Sequence, residues 1–301
     1  MDFWFAGGRL LAGDGNMTTP PPNELWDADP RKRLKAAESC TQEQRDRLKE
    51  DLANFEDEAK EGWPYGMHSA VNPIVVTLGI SPGAGKRGAD GKRGGYARPT
   101  CGEPFLPFDG HKKWNIRFWR QTSDLLVKFG LAFLGHDSLS DTENERKAAA
   151  TLVGHLNLGT EEVGDSRAFK NAPLEPKMKS RIIRMIIQSL RPRLAIAFGY
   201  NQYRWDVDLQ RLWHEAGLEI DWSKCEEKDF FYSTRQAPQR KLKYRCFEGR
   251  NADGARLAFL IWPQHPSRFP FRSDELWEQS IQEGIAFMQD RGIFTDSGLS
   301  Q

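Results

Sequence analysis

The stretch NPIVVTLGISPG, residues 72–83, decides the fold class. Its β-branched apolar run at residues 74–78 lies between Pro73 and a turn rich in glycine and proline, which is typical of a short buried strand. Three similar runs follow it along the chain, at residues 151–156, 194–198 and 257–262. Because strands that are buried on both faces read as continuous apolar runs, we expect these four to pair in parallel.

Longer amphipathic stretches lie beside these strands, at residues 114–129, 176–190, 203–216 and 274–289. Strands that alternate with helices predict βαβ units around a shared sheet. We therefore predict a three-layer α/β/α sandwich with a central, mainly parallel four-stranded sheet, spanning residues 66–292. In such sheets ligands bind beyond the carboxyl ends of the strands, so the residues after each run are the candidate site.

The two ends of the chain differ from this central region. Residues 1–65 begin with a proline-rich segment and continue with Leu48, Leu52 and Phe55 at helical spacing, with Thr41 as a candidate N-cap. We expect an N-terminal helical extension there and a flexible tail at residues 293–301.

The composition favours one α/β core in a chain of 301 residues, of which 39% are hydrophobic and 28% charged. The sequence contains neither an apolar run of about eighteen residues nor the features of a signal peptide, so we expect a cytoplasmic protein with no membrane partner. We also expect a monomer. The four cysteines are scattered without a close pair, and we expect no metal and no cofactor.

Charge is segregated along the chain although the formal net charge is only +1. Residues 86–120 carry nine basic against three acidic side chains, and residues 235–250 carry six against one. Residues 41–61 carry eight acidic against four basic side chains. Their negative charge cancels much of the positive charge of the basic runs in the net charge of the chain. Local basic runs are the electrostatic pattern of a nucleic-acid-binding protein, although each run alone is also typical of a solvated surface.

The loop after the first predicted strand nearly matches a phosphate-binding P-loop. It departs from that motif because Ile80 stands where a glycine is needed and because Arg87, not Ser or Thr, follows Lys86. None of the later predicted strands ends in an aspartate that would bind magnesium. A nucleoside triphosphatase is therefore the less favoured alternative.

Four short motifs follow or begin the predicted strands: Gly79-Ile80-Ser81-Pro82-Gly83, His155-Leu156-Asn157, Arg191-Pro192-Arg193 and His265-Pro266-Ser267. In this order along an α/β chain they resemble the motifs of the uracil-DNA glycosylase superfamily. The resemblance covers residues 72 to about 290. It implies an enzyme that flips a base out of DNA and hydrolyses its bond to deoxyribose.

The resemblance also implies roles for individual residues. His265 would donate a hydrogen bond to the departing base, and Asn157 would read the edge of that base. The turn against the flipped nucleotide would be formed by Gly79, Ile80, Pro82 and Gly83. Contacts to DNA would come from Ser267, Arg268, Lys86 and Arg87. Arg268 or Phe269 would wedge into the gap left by the base, unless Phe269 and Phe271 pack in the core.

Ser81 departs from the pattern, since many uracil-excising members carry Asp or Asn at this position. A serine is a weaker aid to catalysis, so we expect an acid from the following loop, with Asp90 as the choice and Glu103 and Asp109 as alternatives. The long polar loop at residues 84–111 suggests a pocket for a base larger than uracil. We favour hypermodified cytosine, such as glucosylated hydroxymethylcytosine in phage DNA, over repair of deaminated bases; a non-catalytic module that binds a flipped base is the other alternative.

Overall fold

A computed structural model describes residues 30–44, 68–69, 73–79, 100–101, 117–136, 142–157, 190–198, 223–233, 239–250, 256–266, 268 and 270–295. These residues form a mixed α/β structure around one sheet. Its strands are β1 (His68–Ser69), β2 (Val75–Gly79), β3 (Thr100–Cys101), β4 (Val153–Asn157), β5 (Leu194–Ala197), β6 (Glu226–Tyr232), β7 (Arg240–Arg250) and β8 (Arg256–Ile261).

The centre of the sheet is parallel. The strand order is β3-β1-β4-β2-β5-β8-β7-β6, and the neighbours β4, β2, β5 and β8 all pair in parallel. These four strands coincide with the four apolar runs of the sequence, with ends shifted by at most two residues. The predicted parallel centre is therefore confirmed.

The prediction of a four-stranded sheet was wrong, since the described sheet has eight strands, of which β1 and β3 span only two residues each. β7 pairs antiparallel with β8, and β6 pairs antiparallel with β7 at the edge. The sequence at residues 241–246 alternates charged and apolar side chains because one face of this hairpin packs inward and the other carries cations. The hairpin was not predicted because the many charged residues in this stretch were interpreted as a basic surface run rather than as the outward face of a strand.

Both faces of the parallel strands are buried. On β5, Leu194 and Ile196 point to one face while Ala195 and Ala197 point to the other, and all four are at most 1% exposed. This burial on both sides is what a parallel sheet requires, because crossover connections run over both of its faces.

The helices with described bounds are α1 (Pro30–Ser39), α2 (Arg117–Leu134), α3 (Glu143–Ala150) and α4 (Asp274–Asp290). α2 packs against β2 and β4 and also contacts α3 and α4, so these helices form a layer on one face of the sheet. α2 and α4 confirm the helices predicted at residues 114–129 and 274–289. Those predicted at 176–190 and 203–216 lie outside the described residues, apart from residue 190. No helix in the described part of the chain is long and apolar enough to cross a bilayer.

Capping side chains fix where two of these helices begin. Thr142 forms a capping box with Glu145 at the start of α3, in which each side chain bonds to the other residue's backbone N–H. At α4 the Ser273 hydroxyl accepts a hydrogen bond from the backbone N–H of Leu276 at 3.3 Å. Both caps satisfy backbone donors that the first helical turn leaves unpaired.

The N-terminal region contacts the sheet domain through Arg33, which is 1% exposed. Its guanidinium donates hydrogen bonds to the carbonyl oxygens of Pro73 at 3.2 Å and Arg191 at 2.9 Å. Thr41 caps the helical residues 42–44, as predicted: its hydroxyl accepts from the Gln44 N–H at 3.2 Å. These bonds tie α1 to the segments that lead into β2 and β5.

The chain continues to pack after α4 ends. Ile293 is 1% exposed, and the Phe294 ring meets the Phe133 ring edge-on at 4.8 Å. The packed part of the chain therefore extends into the segment for which a flexible tail was predicted, and residues 296–301 lie outside the described residues.

Candidate active site

The carboxyl ends of β2 and β4 lie side by side, because Gly79 and Asn157 are register partners at those ends. On the other side of β2, Leu78 pairs with Ala197 at the end of β5. β4 lies on one side of β2, and β5, the next of these parallel strands along the chain, lies on the other side. The order in which the strands are added to the sheet therefore reverses direction at β2. Such a reversal in an open parallel sheet opens a crevice beyond the strand ends, where ligands bind.

His265 lies in the segment that leaves β8 at this same edge. Pro263 and Pro266, on either side of it, are both buried. The backbone N–H of Arg268 donates to the His265 carbonyl oxygen at 2.9 Å and closes a turn. Two buried prolines with fixed φ, together with this turn, hold the backbone of His265 in one conformation.

Two phenylalanines contact the half-buried imidazole of His265. The Phe118 ring, in the first turn of α2, stacks on it with centroids 5.1 Å apart and planes 15° apart. The Phe198 ring, directly after β5, meets it edge-on at 6.3 Å. His265 therefore lies beyond the end of β5, next to the crevice that the strand order opens.

This environment keeps His265 neutral. Desolvation by the surrounding protein, with a smaller contribution from the positive charge of Arg268, lowers the pKa of His265 from 6.5 to about 4. At neutral pH the imidazole has one N–H donor and one acceptor nitrogen. It can donate a hydrogen bond to a group that gains negative charge during a reaction.

A polar pair lies next to these rings on the central strands. The Thr77 hydroxyl and Nδ1 of His155 are 2.8 Å apart, and both residues are fully buried. The Phe118 ring meets the His155 ring edge-on at 5.6 Å. His155 lies on β4, two residues before the end of that strand at Asn157. Phe118 thus joins His265 to the strand that ends in Asn157.

Sequence reasoning missed Thr77, His155 and Phe118 as parts of the site. Thr77 and His155 could have been noticed because each is a polar residue inside an otherwise apolar strand. His155 also belongs to one of the four motifs. Nothing in the sequence distinguished Phe118 from the other aromatic residues of its helix.

Arginines surround the segment that follows His265. Arg268 and Arg272 are exposed, Arg117 donates a hydrogen bond to the Arg272 carbonyl, and Arg120 pairs with Asp274 at 2.9 Å. Guanidinium groups of this kind suit the phosphates of a nucleic-acid backbone. Of these arginines, Arg268 is close enough to His265 for its charge to lower the pKa of the imidazole.

The structure brings together Gly79, the backbone of Asn157 and, through Phe118, His265. Phe271 is fully buried, so its alternative role as a core residue is confirmed. The predictions for Ile80, Ser81, Pro82, Gly83, Lys86, Arg87, Asp90, Glu103, Asp109, Ser267 and Phe269 lie outside the described residues.

Within the described ranges, no group of three or more His, Cys, Asp or Glu side chains could hold a metal ion. The chain matches no protein-family model and no curated protein. Function is therefore inferred from the motifs, the strand order and the site geometry.

Proposed function

We propose that the chain is a DNA glycosylase that flips a non-standard pyrimidine out of DNA and hydrolyses its N-glycosidic bond, leaving an abasic site. The observation that carries this proposal is the neutral imidazole of His265 next to the crevice beyond the parallel strands. Our preferred substrate is hypermodified cytosine in phage DNA, which would make the enzyme part of an antiviral defence.

A neutral imidazole can act as a hydrogen-bond donor in this reaction. When the bond between the base and C1′ breaks, the base leaves with the electron pair and the sugar becomes cationic. The N–H of His265 would donate to the base oxygen as it becomes negative. Water then bonds to C1′, and its proton passes to a base, for which Asp90 is our candidate. Asn157 would hold the edge of the flipped base with its amide.

The preference for a large base rests on the sequence. Ser81 lacks the carboxylate or amide that many uracil-excising members use, and the loop at residues 84–111 is long enough to shape a wider pocket. A weaker first motif beside a larger pocket is what we expect of an enzyme whose substrate is not plain uracil.

Two further features accompany the proposal. We propose that helices at residues 176–190 and 203–216 complete a three-layer sandwich, which agrees with the burial of both faces of the parallel strands. We also propose that Arg268 and the basic run at residues 86–120 contact DNA phosphates, so binding should weaken steeply as salt is raised.

A substrate panel tests the proposal. Duplex and single-stranded oligonucleotides carry one uracil, hypoxanthine, hydroxymethylcytosine or glucosylated hydroxymethylcytosine, and abasic sites are detected by alkaline strand cleavage. We expect cleavage at glucosylated hydroxymethylcytosine that is lost in His265→Gln and retained in the surface control His136→Gln. Brisk release of uracil alone would favour repair, and DNA binding without any abasic site would favour a non-catalytic module.

A further inference from the structure

Phe118 is in contact with every other ring of the candidate site that the structure describes. Besides stacking on His265, its ring meets His155 edge-on at 5.6 Å and 74°, and Phe198 edge-on at 6.2 Å and 79°. Edge-to-face contacts on two sides and a flat contact on a third allow the ring little rotation. The face that it presents to His265 is therefore fixed by β4 and β5.

The helix that carries Phe118 is also tied to the segment that carries His265. The Gln121 amide donates to the Phe271 carbonyl oxygen at 2.5 Å, and Arg117 donates to the Arg272 carbonyl. These bonds join the first turns of α2 to the chain after His265. A shift of α2 or of the segment after His265 would break these hydrogen bonds. The bonds therefore help to set the distance between the Phe118 and His265 rings.

The charged and titratable groups around this contact come from three elements. The segment of His265 itself contributes Arg268, which lowers the pKa of the imidazole. α2 contributes Arg117, engaged with a carbonyl, and Arg120, paired with Asp274. β4 contributes His155, whose Nδ1 lies at the Thr77 hydroxyl.

From this geometry we propose that Phe118 is a positioning residue: its ring fixes the plane of the His265 imidazole and covers one face of it from water. The purpose of that orientation, a hydrogen bond to the departing base, rests on the proposed function. The stacking and the exclusion of water do not, so they can be tested without any substrate.

Three substitutions separate the two effects. Phe118→Ala removes both the flat surface and the cover, Phe118→Leu retains an apolar cover without the flat surface, and Phe118→Tyr retains both. Phe133→Leu is the matched control, because Phe133 lies on the same helix but packs against Phe294. Unfolding midpoints and circular dichroism establish that each variant is folded.

The first measurement is the titration of His265 by NMR, with its resonance among the six histidines assigned by its loss in His265→Gln. In wild type we expect a pKa near 4. Phe118→Ala should raise it by roughly one unit or more because water reaches the ring, while Phe118→Tyr and Phe133→Leu should leave it unchanged. A folded Phe118→Ala with the wild-type titration would overturn the covering role.

The second measurement is base release by the same variants on the substrate that wild type accepts. Phe118→Leu should lower kcat about 10- to 100-fold with little change in KM, because the imidazole is no longer held in one plane. Wild-type kcat in this variant would overturn the orienting role. If wild type releases no base from any substrate, the proposed function fails, while the titration still decides whether Phe118 covers His265.

Discussion

Gly284, in the middle of α4, gives the sharpest prediction about packing behind the site. A Cβ at this position would lie 2.8 Å from two ring carbons of Trp262 and 3.5 Å from Cε1 of Tyr244. Carbon atoms pack best at about 3.5–4.0 Å, so one side must move by more than half an ångström. Trp262 is fully buried and cannot yield easily, because other rings surround it. They are Phe129 at 6.1 Å, Tyr244 at 5.2 Å and Trp277 at 5.8 Å.

Two opposing effects set the size of the change in Gly284→Ala. Alanine in a helix interior is favoured over glycine by about 1 kcal/mol. Overpacking a well-filled core costs about 1–3 kcal/mol, and a contact this short belongs in the upper part of that range. We therefore expect a net loss of about 1–2 kcal/mol in the free energy of unfolding, with Tm lower by about 2–4 °C.

Urea unfolding followed by fluorescence and circular dichroism measures this change. The matched control is Ala286→Gly, since Ala286 is exposed two residues further along the same helix. That variant should lose about 1 kcal/mol from helix propensity alone. If Gly284→Ala is as stable as wild type or more stable, the close packing of α4 on Trp262 is refuted. Because Trp262 directly precedes the segment of His265, we also expect slower base release in Gly284→Ala.

Four further predictions concern protonation and buried or capping contacts. If only the neutral imidazole of His265 donates to the base, kcat/KM should stay level from about pH 8 to about pH 5 and fall with an apparent pKa near 4; a fall centred near 6.5 would contradict this. The lowered pKa also means that the folded state binds fewer protons than the unfolded state between these values. Stability should therefore decline as the pH falls from 6.5 through 4, and less so in His265→Gln, as measured by urea unfolding at each pH. Arg33→Met should lose about 2–3 kcal/mol because two carbonyls lose a charged donor, and a loss no larger than that of the exposed Lys32→Met would contradict it. Thr142→Ala should lose about 1 kcal/mol while Thr142→Ser retains the cap of α3; equal unfolding midpoints for the two variants would argue against the capping box.

The parallel centre of the sheet could be predicted from the sequence because burial on both faces leaves continuous apolar runs, as at residues 74–78 and 194–198. The hairpin of β6 and β7 was missed for a related reason. Its outward face carries Lys241, Lys243 and Arg245, whose partners Asp229 and Glu227 lie on the neighbouring strand. These basic residues form ion pairs across the two strands, but in the sequence alone they have the pattern of a basic surface run.

Only those residues of the candidate site that belong to the four sequence motifs could be predicted. Gly79, Asn157 and His265 could be named because each follows an apolar run, and strand ends meet at one edge of a parallel sheet. Phe118 could not, because its contacts with His155 and His265 depend on how α2 lies across the sheet. Side chains that meet only through packing leave no periodic trace in the sequence.

Single-turnover release of the free base tests the central claim most directly. Duplex DNA containing glucosylated hydroxymethylcytosine is mixed with excess protein at pH 7, and the liberated base is quantified by mass spectrometry for wild type and for His265→Gln. We predict that wild type frees the intact modified base and that His265→Gln does so about 100- to 1000-fold more slowly, as expected for the loss of one donor to the developing charge. Equal rates for the two proteins, or no free base from this DNA or from uracil-containing DNA, would contradict the assignment.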